Sequence, residues 1–107
     1  MSLDDYAQVF NALSNPHRLR IMLILVSCCP PGNHCEVNER KYVGDISGAL
    51  DLAPSTVSHH LKELRRAGLI STERTGQNVQ CWINPDILKA LAAFFEKPDA
   101  FGQENAA

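Results

Sequence analysis

Three of the four cysteines of the chain lie within eight residues, in the stretch Cys28-Cys29-Pro-Pro-Gly-Asn-His34-Cys35. The Pro-Pro-Gly turn can fold Cys35 back towards Cys28 and Cys29. Thiolates select soft metals and metalloids, and three sulfur atoms without an obvious fourth ligand suit a three-coordinate pyramidal ion. The cluster therefore predicts a site for As(III) or Sb(III) formed by Cys28, Cys29 and Cys35, with no resident cofactor required.

Other interpretations of the same thiols stay open. Zinc or cadmium would need a fourth ligand, which His34 or Cys81 could supply. Oxidation or persulfidation needs only two reactive thiols, such as Cys29 and Cys35, and the cluster could also be incidental. Cys81 itself lies in a predicted strand with apolar neighbours on the same face, which favours a small core residue.

A second group of polar side chains lies on the helix predicted over residues 54–67. Val57, Leu61 and Leu64 form its apolar stripe, and His60 beside them is expected to be a partly buried structural residue. The opposite stripe carries hydroxyl, imidazole and cationic groups, which a helix in the major groove uses for phosphates and base edges. Together with the tip of the following hairpin, the predicted DNA contacts are Ser55, Thr56, Ser58, His59, Lys62, Arg66, Arg74 and Gln77.

The charge distribution allows this interpretation although the whole chain of 107 residues has a formal net charge of −2. Residues 53–81 contain four cations and two acids, a local net charge of +2. DNA binding requires a basic face and not a basic protein. An ordinary solvated helix face remains the alternative for charge alone.

Hydrophobic periodicity predicts the elements that would position these residues. Two helices joined by a tight turn and followed by a hairpin make a winged helix-turn-helix, mainly α with a small β-hairpin. We expect one domain over residues 1–98 that both binds DNA and dimerises, and a frayed tail over 99–107. The predicted helices are 3–13, 16–27, 43–50, 54–67 and 85–96; the strands are 69–74 and 79–83, joined by 75–78; residues 28–41 are a loop.

Several classes of protein are disfavoured by the same features. No stretch approaches the ~20 apolar residues that span a bilayer, and the acidic start is unlike a signal peptide, so a cytoplasmic protein without membrane contact is expected. No phosphate-binding loop is present and a short chain leaves little room for a substrate cavity, so no enzyme is expected. A winged-helix module that binds only proteins stays an alternative.

Four segments resemble the ArsR family of winged helix-turn-helix repressors, and the resemblance covers roughly residues 6–95. It implies a homodimer held by the first and last helices, binding to double-stranded operator DNA, and release when an inducer binds. The segments are 12–21 (ALSNPHRLRI), 44–46 (GDI), 55–64 (STVSHHLKEL) and 67–70 (AGLI).

The resemblance is incomplete where inducers bind. Arsenic sensors of the family often carry a cysteine pair just before the Asp that begins the helix-turn-helix, and here those positions are Tyr42 and Gly44. Zinc-binding members use His and carboxylate ligands between the C-terminal helices, whereas the last helix here offers Asp86 and Glu96 without His. The inducer site is therefore expected elsewhere, at the thiol cluster.

Overall fold

A computed structural model describes the chain over residues 1–28 and 41–96. This part of the chain forms five helices and a three-stranded antiparallel sheet in the order β1-β3-β2, and none of its helices is long and apolar enough to cross a membrane. The bounds are α1 Leu3–Leu13, α2 Pro16–Cys28, β1 Lys41–Tyr42, α3 Val43–Leu50, α4 Pro54–Arg66, β2 Ile70–Thr75, β3 Asn78–Ile83 and α5 Pro85–Phe94.

The predicted fold class, mainly α with a hairpin, is confirmed, and α1 and α3 have the predicted bounds. The connection between the strands is shorter than predicted. Thr75 pairs with Asn78, so the turn consists of Gly76 and Gln77 alone. Gly76 has φ 63°, a conformation that glycine adopts without the steric cost of a Cβ atom.

The prediction that residues 28–41 form a loop is wrong at both of its ends. Cys28 is the last residue of α2, and Lys41 begins the short strand β1. Lys41 pairs with Cys81 and Tyr42 with Gln80. A strand of two residues has no alternation from which it could be predicted, and it exists because β3 offers a free edge.

Local hydrogen bonds define where the helices begin and end. The side-chain oxygen of Asn15 accepts hydrogen bonds from the N–H groups of His17 and Arg18 at 2.9 and 3.2 Å, which caps α2 as predicted. Gly68 ends α4 with φ 81°. Its N–H group donates to the carbonyl of Arg65, and that of Leu69 to the carbonyl of Leu64. These two bonds form a Schellman motif.

The turn between α3 and α4 is fixed by backbone and side chain together. Asp51 has φ 54° at the end of α3. The Leu52 N–H group donates to the Ser47 carbonyl at 3.2 Å, and the Ser47 hydroxyl donates to the Leu52 carbonyl. Pro54 begins α4, where its missing N–H group would have no partner. This turn sets the direction in which α4 leaves the core.

One apolar core connects all the layers and holds α4 and the hairpin against the other helices. Its interior is aliphatic, with the small side chain of Cys81 at the centre of the sheet. The buried apolar residues are Val9, Ala12, Ile21, Met22, Leu25, Ile46, Leu50, Val57, Leu61, Leu64, Leu69, Ile70, Cys81 and Ile83.

Candidate DNA interface

The helix α4 divides into a buried and an exposed face. Val57, His60, Leu61 and Leu64 are buried, so the helix cannot rotate without exposing apolar surface. All the side chains predicted to contact DNA are exposed: Ser55, Thr56, Ser58, His59, Lys62, Arg66, Arg74 and Gln77. They are available to a ligand as large as a DNA duplex.

His60 is one of two buried polar residues in the described part of the chain, and its predicted structural role is confirmed. Its Nδ1 atom accepts a hydrogen bond from Nε of Arg18 in α2 at 3.2 Å. Desolvation by burial lowers the pKa of His60, and the nearby Arg18, His17 and His59 lower this pKa further. A neutral ring in this place joins α4 to α2.

Three of the predicted DNA-contacting residues meet between α4 and the hairpin. Ser58 and Lys62 lie on α4, and Arg74 faces them from β2, around a cleft of about 210 Å³. The cleft continues towards the tip of the hairpin as a second depression, which Gln77 lines together with Ser58 and Arg74. The cleft also contains Arg65, which was not among the predicted contacts. The spacing of Ser58, Lys62 and Arg65, at i, i+4 and i+7, was a signal that could have found it.

Arg66 lies apart from this group. Its Nη1 atom is 3.5 Å from Oε1 of Glu63, and both residues line a depression that Gln8 and Arg18 complete from α1 and α2. Because Glu63 partly balances its charge, Arg66 should attract a phosphate less strongly than an unpaired cation would. Its side chain is nevertheless 66% exposed, and a role at the end of α4 remains a prediction.

The predicted thiol site lies outside the described residues. This holds for Cys29, His34, Cys35 and the side chain of Cys28. Within residues 1–28 and 41–96, no three His, Cys, Asp or Glu side chains come together to hold a metal ion. Cys81 is fully buried, as predicted for a core residue, and its Sγ atom donates to the Lys41 carbonyl at 3.4 Å.

The fold and the exposed face of α4 together define a winged helix-turn-helix protein of the DNA-binding type. Comparison with known proteins makes the assignment specific. The family model described as bacterial regulatory protein, ArsR family, matches residues 15–72. The chain belongs to the ArsR family of transcriptional regulators, as its motifs indicated, and this family assignment agrees with the prediction that it is not an enzyme.

Three relatives illustrate the range of this similarity. The chain is 35% identical over 82 residues to the transcriptional repressor SmtB homolog of Synechocystis, covering 74% of this chain and 54% of that protein. It is 32% identical to the transcriptional activator HlyU of Vibrio cholerae, covering 78% and 67% of the two chains. It is 30% identical to the arsenic resistance transcriptional regulator ArsR1 of Pseudomonas putida, covering 74% and 54%. The chain thus spans about half the length of the first and third of these relatives.

Solved structures agree with this assignment. HlyU from Vibrio cholerae superimposes with a TM-score of 0.65 and 26% identity, over 88% of this chain and 90% of that chain. NolR from Sinorhizobium fredii superimposes with a TM-score of 0.62 and 29% identity, over 88% and 84%. The arrangement of α3, α4 and the hairpin is therefore the arrangement of this family.

Proposed function

We propose that the chain is a repressor that binds a two-fold operator as a homodimer and is released when As(III) or Sb(III) binds Cys28, Cys29 and Cys35. The observation that supports DNA binding best is the exposed face of α4, which carries hydroxyl, imidazole and cationic groups on a helix whose other face is buried. One such helix from each protomer would enter successive major grooves.

The roles of the contacting residues follow from where they lie. Ser55 and Thr56 are in the first turn of α4, and the residue before this helix, Ala53, has no side-chain oxygen with which to cap it. The positive end of the helix dipole favours a phosphate there. His59 offers ring nitrogens to base edges, while Lys62 and Arg74 neutralise the backbone. The hairpin tip at Gln77 reaches the flanking backbone.

An aromatic cluster shared by α1 and α5 supports the proposed dimer. Tyr6 and Phe10 of α1 surround Phe94 of α5, with ring centroids 4.3 and 5.5 Å away. Phe95 packs against Phe94 at 4.7 Å, yet it is 76% exposed. No residue of α5 is buried in the single protomer. A second copy would cover this apolar surface, in which aromatic side chains are typical interface anchors.

The proposed inducer chemistry involves no oxidation or reduction. Three cysteine S–H groups and one arsenous acid molecule, As(OH)3, exchange to form three As–S bonds and three water molecules. Sulfur ligands suit this soft metalloid, and the relative ArsR1 of Pseudomonas putida is an arsenic resistance regulator by name. Zinc, cadmium and thiol oxidation are the alternative inducers.

The sheet offers a route from the thiols to the DNA interface. Cys28 ends α2, and β1 begins at Lys41, six residues after Cys35. The strand β1 is hydrogen-bonded to β3 of the hairpin and continues directly into α3, which is packed on α4. Drawing the three thiols together would therefore pull on both the hairpin and the helix-turn-helix. A coupling of ~1–3 kcal/mol would weaken DNA binding ~5- to 150-fold, and DNA would weaken inducer binding by the same factor.

The test measures operator affinity of the reduced protein by fluorescence anisotropy at fixed salt, with and without arsenite. The duplex comes from the promoter region upstream of the gene itself. We expect tight binding that arsenite weakens, and no weakening for Cys28→Ser or Cys35→Ser. Cys81→Ala is the matched thiol control, because Cys81 is buried in the core, and this variant should still release DNA with arsenite.

Each outcome has a defined meaning. Tight binding that arsenite does not change would contradict the metalloid proposal, and zinc, cadmium and a persulfide donor would be tested next on the same variants. Absence of any salt-dependent DNA binding would contradict the DNA-binding proposal and favour a protein-binding module. A promoter fusion that gains activity on deletion of the gene would support repression, whereas a loss of activity would indicate an activator, as HlyU is named.

A further inference from the structure

The cleft between α4 and the hairpin has two walls of regular geometry. On α4, Ser58, Lys62 and Arg65 lie at i, i+4 and i+7 and form one stripe that faces the hairpin. On β2, Thr72 and Arg74 lie at i and i+2 and therefore point to the same face of the sheet. The two walls enclose about 210 Å³, which is below the ~300–1,000 Å³ typical of pockets for drug-sized ligands. The cleft fits a small group.

The charge in this cleft is unbalanced. Lys62, Arg65 and Arg74 line it, and no carboxylate does so among the described residues. Glu73 alternates to the other face of β2, and Glu63 lies with Arg66 in the depression on the α1 side of α4. Three cations around a small space repel one another, and an anion between them would remove that repulsion.

The hydrogen-bonding groups suit an anion with several oxygens. Nη1 of Arg65 donates to Oγ1 of Thr72 across the cleft at 3.4 Å, which holds the guanidinium group in the cleft. A guanidinium group has five N–H donors in a planar fork, so others remain for the two free oxygens of a phosphodiester. Apolar side chains of Val43, Leu61 and Val79 form the rest of the lining, and such surroundings strengthen charge interactions.

The cleft also extends along the surface beyond the space that a single ion would occupy. A second depression of the surface, towards the hairpin tip, shares Val43, Ser58, Arg74 and Val79 with the first. A polymer with a charge at regular intervals can follow such a groove, with one phosphate held at its most basic point. The continuity of the groove therefore favours a nucleic-acid backbone over a free anion.

We propose that this cleft is a seat for one phosphate of the DNA backbone, and that Arg65 is the residue that fixes it between α4 and the hairpin. The inference rests on the proposed DNA-binding function and adds a contact to it. Because the phosphate touches both walls, it fixes the hairpin relative to α4 when DNA is bound. Backbone contacts of this kind set register without reading sequence.

The first experiment compares wild type, Arg65→Gln, Arg65→Lys and the control Lys89→Gln, which removes an exposed cation from α5. Affinity is measured at several salt concentrations for the operator and for a scrambled duplex. For Arg65→Gln we expect weaker binding to both duplexes by a similar factor. The salt slope should fall by about two, because the homodimer loses one phosphate contact in each protomer. Arg65→Lys should recover the slope and only part of the affinity, because it keeps the charge without the fork. Lys89→Gln should match wild type.

The second experiment locates the phosphate. Duplexes carrying a single neutral methylphosphonate are scanned across the half-site with wild type and with Arg65→Gln. One position should weaken wild type and leave Arg65→Gln unchanged, since the partner of that phosphate is already gone. The phosphate proposal would be overturned if the effects of the methylphosphonate and of Arg65→Gln on affinity added at every position, or if Arg65→Gln left the salt slope unchanged. Either result would leave operator binding by wild type intact.

A third measurement separates DNA from a free anion. Titration of wild type with inorganic phosphate, at ionic strength matched with chloride, should show no Arg65-dependent binding. Saturable binding of inorganic phosphate that disappears in Arg65→Gln, together with unchanged DNA affinity of that variant, would overturn the backbone as occupant. If wild type binds no DNA at all, it is the proposed function that fails. Circular dichroism melting confirms that each variant is folded, as expected for an exposed residue.

Discussion

Nε of Arg18 donates a hydrogen bond to Nδ1 of His60 at 3.2 Å, and this bond joins the start of α2 to the middle of α4. Nη1 of the same guanidinium group also lies 3.4 Å from the carbonyl of Ala12 in α1. Three helices thus meet at one side chain. The arrangement requires a neutral His60, because only an unprotonated Nδ1 atom can accept the hydrogen bond.

The stability of the protein should therefore fall at mildly acidic pH. Burial lowers the pKa of His60 below its usual value near 6.5, and Arg18, His17 and His59 lower this pKa further. Below pH ~6.5 the unfolded chain binds a proton that the folded chain resists. The contribution is present above that pH and is lost as the pH falls towards the folded pKa, at no more than about 1.4 kcal/mol per pH unit for one proton.

Urea unfolding between pH 5.5 and 8 measures this effect. His60→Asn keeps an acceptor near Nδ1 and cannot titrate in this range, so its free energy of unfolding should change less with pH than that of wild type. His59→Asn is the comparison variant at an exposed position of the same helix. It removes only the smallest of the contributions that lower the pKa of His60, so its pH dependence should lie between that of wild type and that of His60→Asn. Equal pH dependence of wild type and His60→Asn would contradict the assignment.

The positions of the helices could be predicted from the sequence because each has a strong local signal. Asn15 before Pro16 marks the start of α2, and Gly68 marks the end of α4. The strand β1 could not be predicted, since its two residues are ordered by pairing with β3 and not by any pattern of their own. A strand ordered only by tertiary pairing shows no hydrophobic periodicity in the sequence.

The exposed face of the candidate DNA interface could be predicted from the sequence, but its orientation towards the hairpin could not. Residues on the side of α4 opposite the apolar stripe are predicted to be exposed, and they are. His60 beside that stripe is buried, as predicted. The pattern could not tell which exposed residues face the hairpin. The predicted contacts therefore do not include Arg65, which lines the cleft, and they do include Arg66, which lies beside Glu63 on the other flank and whose contact with DNA stays a prediction. The helical periodicity of α4 shows only which side of the helix is buried. The position of the hairpin beside α4 depends on how the whole sheet packs, which the periodicity does not show.

Two glycines should respond to alanine with opposite signs. Gly68 has φ 81° in the Schellman motif, and an added Cβ would lie at an ordinary 3.5 Å from Ile87. The cost of Gly68→Ala is thus mainly backbone strain, about 1–2 kcal/mol of destabilisation. Gly48 lies inside α3 with nothing within 4 Å of an added Cβ, so Gly48→Ala should stabilise by about 0.5–1 kcal/mol.

Denaturant unfolding of both variants at neutral pH checks this prediction. The two substitutions add the same methyl group, so each serves as the control for the other. Gly68→Ala should also loosen the link from α4 to the hairpin and lower DNA affinity at constant temperature. Equal effects of the two substitutions on stability would show that the left-handed conformation at Gly68 carries no strain.

The aromatic surface of α1 and α5 yields the last prediction. Phe95 is 76% exposed in the protomer, so Phe95→Glu should leave the fold of one chain intact while placing a charge in the proposed interface. Interface anchors contribute about 2 kcal/mol or more, so the dimer dissociation constant should rise at least about 30-fold. Sedimentation velocity over a concentration series measures it.

The matched control for this substitution is Lys89→Glu, which introduces a carboxylate at an exposed position of α5, on the side away from Ile87 and Leu91, which pack against the core. It should leave the dissociation constant close to that of wild type. Phe95→Glu should also lower operator affinity in parallel with dimerisation, because a single α4 reads only one half-site. A protein that stays dimeric with Phe95→Glu would place the interface away from α5, and the exposed Leu19 and Leu23 of α2 would be the next residues to substitute.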